Sequence, residues 1–136
     1  MNFGKLIEIS YALLPRAVEG QKARHFSFLL YRNKIESIGI NNPFKTHPLN
    51  LRNNYRDRDN RDISQYVGIH SELSAILKFG EEDLSKFTLV NTRIDLNNKL
   101  AFSKPCCGCN NLLKSLKLSQ VYYSNNEEGF DYLKIT

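Results

Sequence analysis

Apolar and polar residues alternate with two different periods along the first third of the chain. Apolar residues recur at near-helical spacing over residues 3–18, which predicts a first helix that Pro15 bends or ends. Residues 25–31 and 34–40 are apolar, β-prone runs separated by two residues. We therefore predict a helix followed by a two-stranded hairpin.

The rest of the chain predicts two more helices and three more strands. Residues 69–79 have the apolar stripe of a helix packed on a sheet, and Gly80 follows them. A second helical stripe runs from near Cys106 to residue 118. The predicted strands are residues 88–94, 120–124 and 130–135.

Residues 45–62 are polar and lack periodicity, with arginines interleaved among aspartates. Such a stretch predicts a long, mobile loop. Loops of this length are either functional or flexible, so a solvated, charge-mixed surface and a functional loop are both open interpretations.

Length and composition predict one folded domain over residues 1–136. With 136 residues, 41% hydrophobic and 24% charged, the chain can build one sizeable core. No apolar run approaches the roughly 18 to 20 residues of a spanning helix, and no export leader is recognisable, so we expect no membrane association. The net charge of +5 favours an anionic partner such as a nucleotide or nucleic acid.

The cysteines favour metal or thiol chemistry over a disulfide framework. Cys106, Cys107 and Cys109 crowd into four positions, which suits a reducing compartment and predicts a cytoplasmic location. Cys106 and Cys109 are three positions apart on one helical turn, so both sulfurs can face one ion. A helix N-terminus also favours the thiolate form that a metal requires.

His70 and Glu72, at the start of the other predicted helix, complete a candidate zinc site. His70 can supply a third ligand, and three protein ligands leave one tetrahedral position open for water, as in catalytic zinc. Glu72 is the candidate proton carrier. A C-x-x-C pair alone also occurs in structural zinc sites and redox pairs, so the combination carries this prediction. Cys107 is expected to be a packing or surface thiol, because a fourth ligand would close the site.

These segments spell H-x-E followed by P-C-x-x-C, and with this motif the chain resembles the cytidine deaminase-like superfamily. The resemblance spans most of the chain and is strong over residues 99–124. It implies an α/β protein with a three-layer α/β/α fold around a five-stranded mixed sheet. It also implies a Zn²⁺ cofactor and hydrolytic deamination of a cytosine-type base. The short turn at residues 125–129 favours relatives whose last two strands form a hairpin.

The resemblance further implies substrate contacts. Asn41, in a G-x-N context, corresponds to an asparagine that contacts the sugar, although it also suits a turn residue that ends a strand. The Ser71 amide would bind the base carbonyl, and the carbonyl before Pro105 would accept the exocyclic amine. Ser71 stands where the family usually has alanine, and the chain has no tryptophan. Aromatic candidates for stacking on the base are Phe44, His47, Phe102 and Tyr123.

Three functions follow as hypotheses. The first is conversion of cytosine to uracil in single-stranded DNA, which positive charge and aromatic residues favour. The second is deamination of free cytidine, deoxycytidine or deoxycytidylate, with which the small size is equally compatible. The third is a non-catalytic zinc module that binds nucleic acid. Oligomeric state, sequence context and tolerance of 5-methylcytosine are left open.

Overall fold

The computed structural model describes residues 2–17, 24–45, 47–56, 59–64, 68–80, 83–118, 120–127 and 129–135. Its helices are α1 (Phe3–Ala12), α2 (Leu49–Arg52), α3 (Ser71–Phe79) and α4 (Cys107–Ser115), with a 3₁₀ turn at Leu14–Arg16. Its strands are β1 (Arg24–Tyr31), β2 (Lys34–Ile40), β3 (Thr88–Ile94), β4 (Gln120–Ser124) and β5 (Phe130–Lys134).

The five strands form one mixed sheet in the order β2-β1-β3-β4-β5. Only β3 and β4 pair in parallel among these strands, and the other neighbours pair antiparallel. Arg32 and Asn33 link β1 to β2 with φ angles of 50° and 64°, the left-handed backbone that a two-residue hairpin turn requires. The antiparallel pairing of β4 with β5 confirms the predicted terminal hairpin.

Helices cover both faces of the sheet. Successive side chains of a strand point to opposite faces, so Phe26 and Phe28 of β1 pack towards α1, whereas Leu29 packs towards α3 and α4. Two separate apolar clusters result, one with Leu6 of α1 and one with Leu73 of α3. The predicted three-layer α/β/α architecture with a five-stranded mixed sheet is thus confirmed.

The first and last helices end earlier than their apolar patterns predict, whereas α3 ends at Phe79 as predicted. The first helix gives way to the 3₁₀ turn that contains Pro15, and residue 18 lies outside the described residues. The helix α4 ends at Ser115, and Lys117 adopts a φ of 65° two residues later. Within the described parts of the chain, no helix combines the length and apolar character needed to cross a bilayer.

The prediction of a long loop over residues 45–62 is wrong at residues 49–52. Residues 49–52 form α2, and Tyr55 is only 3% exposed, beside the start of α4. This segment folds through contacts with α4 that are distant in sequence, which a local pattern cannot reveal. Residues 46, 57 and 58 lie outside the described residues.

Candidate active site

His70, Cys106 and Cys109 come together where α3 and α4 begin. The His70 Nδ1 atom lies 3.2 Å from Cys109 Sγ and 3.5 Å from Cys106 Sγ, and the three donor atoms all lie within 4.8 Å of one another. Tetrahedral bonds of about 2.0 and 2.3 Å from zinc to nitrogen and sulfur put such atoms roughly 3.6 Å apart. The donor set and its spacing therefore fit a zinc ion.

The starts of the two helices present these ligands. His70 and Cys106 are the N-cap residues of α3 and α4, with extended ψ angles of 158° and 173°. Neither side chain makes a capping hydrogen bond, so both are directed at the other ligands instead of at their own helix. Cys109 follows in the first turn of α4 and is buried.

The two sulfurs differ in their acid–base properties. A hydrogen bond from Cys109 and the nearby His70 imidazole lower the pKa of Cys106 to about 4. Burial raises the pKa of Cys109 well above its usual value. Burial alone would lower the pKa of His70, but its hydrogen bond with Cys106 raises it. The lowered pKa favours the thiolate form of Cys106 that a cation requires, while Cys109 must lose a proton on binding one.

Tyr55 closes the buried side of this cluster. Its hydroxyl lies 3.1 Å from Cys109 Sγ, and its ring meets the His70 ring edge-on at a centroid distance of 5.1 Å. Gly108 allows this packing, because a Cβ atom there would overlap the Tyr55 ring. Burial raises the pKa of the Tyr55 phenol above its usual range, so the phenol stays protonated and can donate to sulfur.

A cavity of about 310 Å³ opens beside the ligands. Five residues singled out from the sequence line it, namely Asn41, His70, Ser71, Glu72 and Cys106. The other described lining residues are His25, Ser103 and Lys104. The cavity thus joins the candidate metal ligands, the candidate proton carrier and two candidate substrate contacts.

Glu72 is buried in the cavity wall with 6% exposure, in the first turn of α3 and two residues after His70. Ser71 Oγ donates to Glu72 Oε1 at 3.1 Å, and Asn91 Nδ2 donates to Glu72 Oε2 at 3.1 Å. Burial raises the pKa of this carboxyl group above its usual value. A carboxyl group with a raised pKa is suited to both accepting and returning a proton near neutral pH.

Asn41 lies at the end of β2 and faces the same cavity. Its Oδ1 atom accepts the backbone N–H of His25 at 2.9 Å. Gly39 lets α3 approach β2 closely, since a Cβ atom there would overlap the backbone of Ser71 and Ala75. The G-x-N segment therefore allows α3 to pack closely on β2 and positions Asn41 at the cavity.

The predicted aromatic contacts are scattered. Phe44 is 78% exposed, and the half-buried His47 accepts the backbone N–H of Leu49 on its Nδ1 at 3.1 Å. Tyr123 packs edge-on against Phe102 at a centroid distance of 5.6 Å. Among the described residues, none of these four is part of the cavity lining, and their role in stacking stays a prediction.

Solved structures that resemble this chain share its architecture. A cytidine deaminase from Burkholderia pseudomallei superposes with a TM-score of 0.61 at 13% identity, over 99% of this chain and 94% of that one. The chain has the cytidine deaminase fold. The dCMP deaminase of cyanophage S-TIM5, in its apo form, superposes with a TM-score of 0.55 at 15% identity, over 90% of this chain and 81% of that one. No protein-family model and no curated protein sequence matches the chain.

Within this cytidine deaminase fold, several residues around the site were missed by sequence reasoning. His25 and Ser103 line the cavity, and Ser27 and Asn91 lie behind Glu72. The sequence does contain a signal for Ser27 and Asn91, because each is a polar residue in the middle of a strand whose neighbouring residues are apolar. Tyr55 left none, since its surroundings in the sequence are uniformly polar.

Proposed function

We propose that this chain is a zinc-dependent hydrolytic deaminase that converts a cytosine base to uracil. The observation that carries the proposal is the single cavity wall formed by His70, Cys106 and Glu72, with Cys109 directly behind them. Three ligands of this kind, with a carboxylate that is not among them, form an open site suited to hydrolysis. The fold shared with deaminases supports the same reaction class.

Each residue has a definite task in this reaction. His70, Cys106 and Cys109 would hold the zinc, which lowers the pKa of a water molecule to roughly 7 and so supplies a nucleophile at neutral pH. Glu72 accepts the proton of that water and delivers it to ring atom N3. After the water oxygen adds to C4, Glu72 takes the remaining proton of that oxygen and passes it to the exocyclic amine, which leaves as ammonia while the oxygen becomes the C4 carbonyl.

Groups on the cavity rim would orient the base and sugar. The Ser71 amide is proposed to bind the base carbonyl, and the Lys104 carbonyl to accept the exocyclic amine. Asn41 is proposed to contact a sugar hydroxyl while its oxygen accepts the His25 amide, which orients its side chain at the cavity.

Cytosine in single-stranded DNA is the substrate that we propose first. The net charge of +5 and the position of Lys104 at the cavity favour a strand with phosphates on both sides of the target base. A free nucleoside or deoxycytidylate is the second candidate, which the folds of a cytidine deaminase and a dCMP deaminase favour. A cytoplasmic location stays a prediction from three free cysteines.

A substrate panel separates these candidates. The zinc-loaded chain is incubated with single-stranded DNA, duplex DNA, RNA, cytidine, deoxycytidine and deoxycytidylate, and uracil products are quantified. We expect the highest kcat/KM on single-stranded DNA, with KM rising as salt is added. Faster turnover of the monomers would reverse the order of the two substrates, and no uracil from any of them would refute a deaminase.

Glu72→Ala tests the proposed proton carrier. We expect zinc content to be unchanged and kcat to fall by about 100-fold or more, since positioned acid–base groups contribute about 10² to 10⁴. The matched control is Glu8→Ala on the exposed side of α1, which is expected to keep both zinc and turnover. A Glu72→Ala variant with normal kcat would contradict the assignment.

A further inference from the structure

Two polar side chains, one from β1 and one from β3, lie next to each other among apolar residues at the centre of the sheet. Ser27 of β1 is fully buried and Asn91 of β3 is 2% exposed, and the two are cross-strand partners. Both face the layer of α3, opposite to their neighbours Phe26 and Val90. Buried polar groups destabilise the fold unless they are fully hydrogen-bonded, so the burial of these two side chains indicates a functional role.

These two residues close a ring of polar contacts with the start of α3. Ser27 Oγ lies 2.6 Å from Asn91 Oδ1 and 2.7 Å from Ser71 Oγ, and its single proton is donated to one of these two acceptors. Ser71 Oγ donates to one oxygen of Glu72, and Asn91 Nδ2 donates to the other. Both carboxylate oxygens of Glu72 are therefore contacted by the ring.

The Asn91 side chain cannot turn within this ring. Its Nδ2 atom also donates to the Ser103 carbonyl at 3.3 Å, which fixes which end of the amide carries the nitrogen. Ser103 Oγ in turn donates to the Asn91 carbonyl at 2.9 Å and lies 2.8 Å from Ser124 Oγ. The Asn91 amide that donates to Glu72 is thus held by contacts with Ser27 of β1 and with Ser103, on the segment that leads to Cys106.

We propose that Asn91 and Ser27 are positioning residues that fix the orientation of the Glu72 carboxylate from the sheet side. Asn91 acts directly and Ser27 acts through Asn91 and Ser71. The contact is independent of any substrate, whereas its effect on turnover rests on the proposed function, in which Glu72 carries the protons. Misplacement of a catalytic group can lower the rate about 100-fold, so loss of a residue that orients Glu72 should lower kcat measurably.

Kinetics of Asn91→Leu and Ser27→Ala test the effect on turnover. For Asn91→Leu we expect kcat to fall about 10- to 100-fold with KM changed less than about 3-fold, and for Ser27→Ala a smaller fall of the same kind. Matched controls are Thr92→Val, a buried polar residue on the opposite face of β3, and Ser37→Ala, whose hydroxyl contacts α3 at Ala75. Equal losses in the controls, or a change confined to KM, would overturn the proposal.

A double-mutant cycle tests the contact without any activity. Urea midpoints are measured at one zinc concentration for the full zinc-loaded chain, Asn91→Leu, Glu72→Ala and the double variant, with Ser27→Ala replacing Asn91→Leu if the latter does not fold. We expect the double variant to lose less than the sum of the two single losses, because each single change leaves the other group buried without its partner. Additive losses would overturn the proposal. Absence of deamination in the unaltered chain would refute the proposed function alone.

Discussion

The Tyr55 hydroxyl lies 3.1 Å from the sulfur of Cys109, a candidate metal ligand. Removal of this one oxygen atom should therefore change zinc binding. With zinc bound, the Cys109 thiolate can only accept, so Tyr55 would be the donor to it. Tyr55→Phe keeps the ring beside Gly108 and removes the donor. We expect zinc affinity to fall about 10- to 100-fold, as for other partners of metal ligands.

Competition with a chromophoric chelator measures this change in zinc affinity. Tyr132→Phe removes the same atom from an exposed side chain of β5 that packs against Tyr122, on the face of the sheet that α1 covers, and its affinity should equal that of the unaltered chain. If Tyr55→Phe also bound zinc as tightly as the unaltered chain, the hydrogen bond to sulfur would have no role.

His25 makes stability depend on pH in a known direction. Burial, and then the positive charges of Arg93 and His70, lower its pKa from 6.5 to about 4. Between these two values the unfolded chain binds more protons than the folded chain. The contribution of His25 to stability is therefore fully present above about pH 6.5 and is lost as pH decreases towards 4, by up to about 1.4 kcal/mol per pH unit.

Melting temperatures of the unaltered chain and His25→Phe, measured from pH 7 to pH 4.5, isolate this contribution. Both proteins share every other titrating group, so their difference belongs to His25. We expect the melting temperature of His25→Phe to fall less steeply. Parallel curves would show that His25 does not titrate in this range.

At the scale of elements, the packing of α3 on β2 depends on Gly39. A methyl group there would overlap the α3 backbone at Ser71 and Ala75, so Gly39→Ala must push the helix away from the sheet. We expect a loss of about 1–3 kcal/mol in the free energy of unfolding. Because α3 carries His70 and Glu72, zinc affinity and turnover should fall as well.

Urea denaturation compares Gly39→Ala with Gly4→Ala. A methyl group at Gly4 of α1 has only ordinary contacts, so this substitution should stabilise the chain by up to about 1 kcal/mol. A Gly39→Ala variant as stable as the unaltered chain would mean that the approach of helix and strand is looser than the structure shows.

At the scale of the whole molecule, zinc would tie together the starts of two helices that pack on the same face of the sheet. His70 belongs to α3, while Cys106 and Cys109 belong to α4, and the apolar clusters on both faces of the sheet form without any metal. We therefore expect chelation to leave the fold in place and to lower the melting temperature by roughly 5 to 15 °C.

Circular dichroism with and without chelator measures the change, and added zinc should reverse it. His70→Ala is the control, since it lacks one ligand and its melting temperature should respond little to chelator. Identical melting curves of the unaltered chain in both conditions would contradict a bound zinc.

The sequence by itself determined the order of elements and the motif of the site. The two periods of apolar residues follow from strand and helix geometry, so β3 and β4 were predicted to the residue. His70, Glu72, Cys106 and Cys109 were recognisable because metal and proton chemistry restrict both residue type and spacing.

Only the tertiary structure decided what surrounds those residues. Tyr55 reaches Cys109 across 54 positions, and Ser27 reaches Asn91 across 64, so no local pattern joins them. The segment around α2 is held by such distant contacts and not by its own periodicity, which is why it resembled a loop in the sequence. Hydrogen bonds between strands and helices depend on packing, and packing is settled only when the whole sheet has formed.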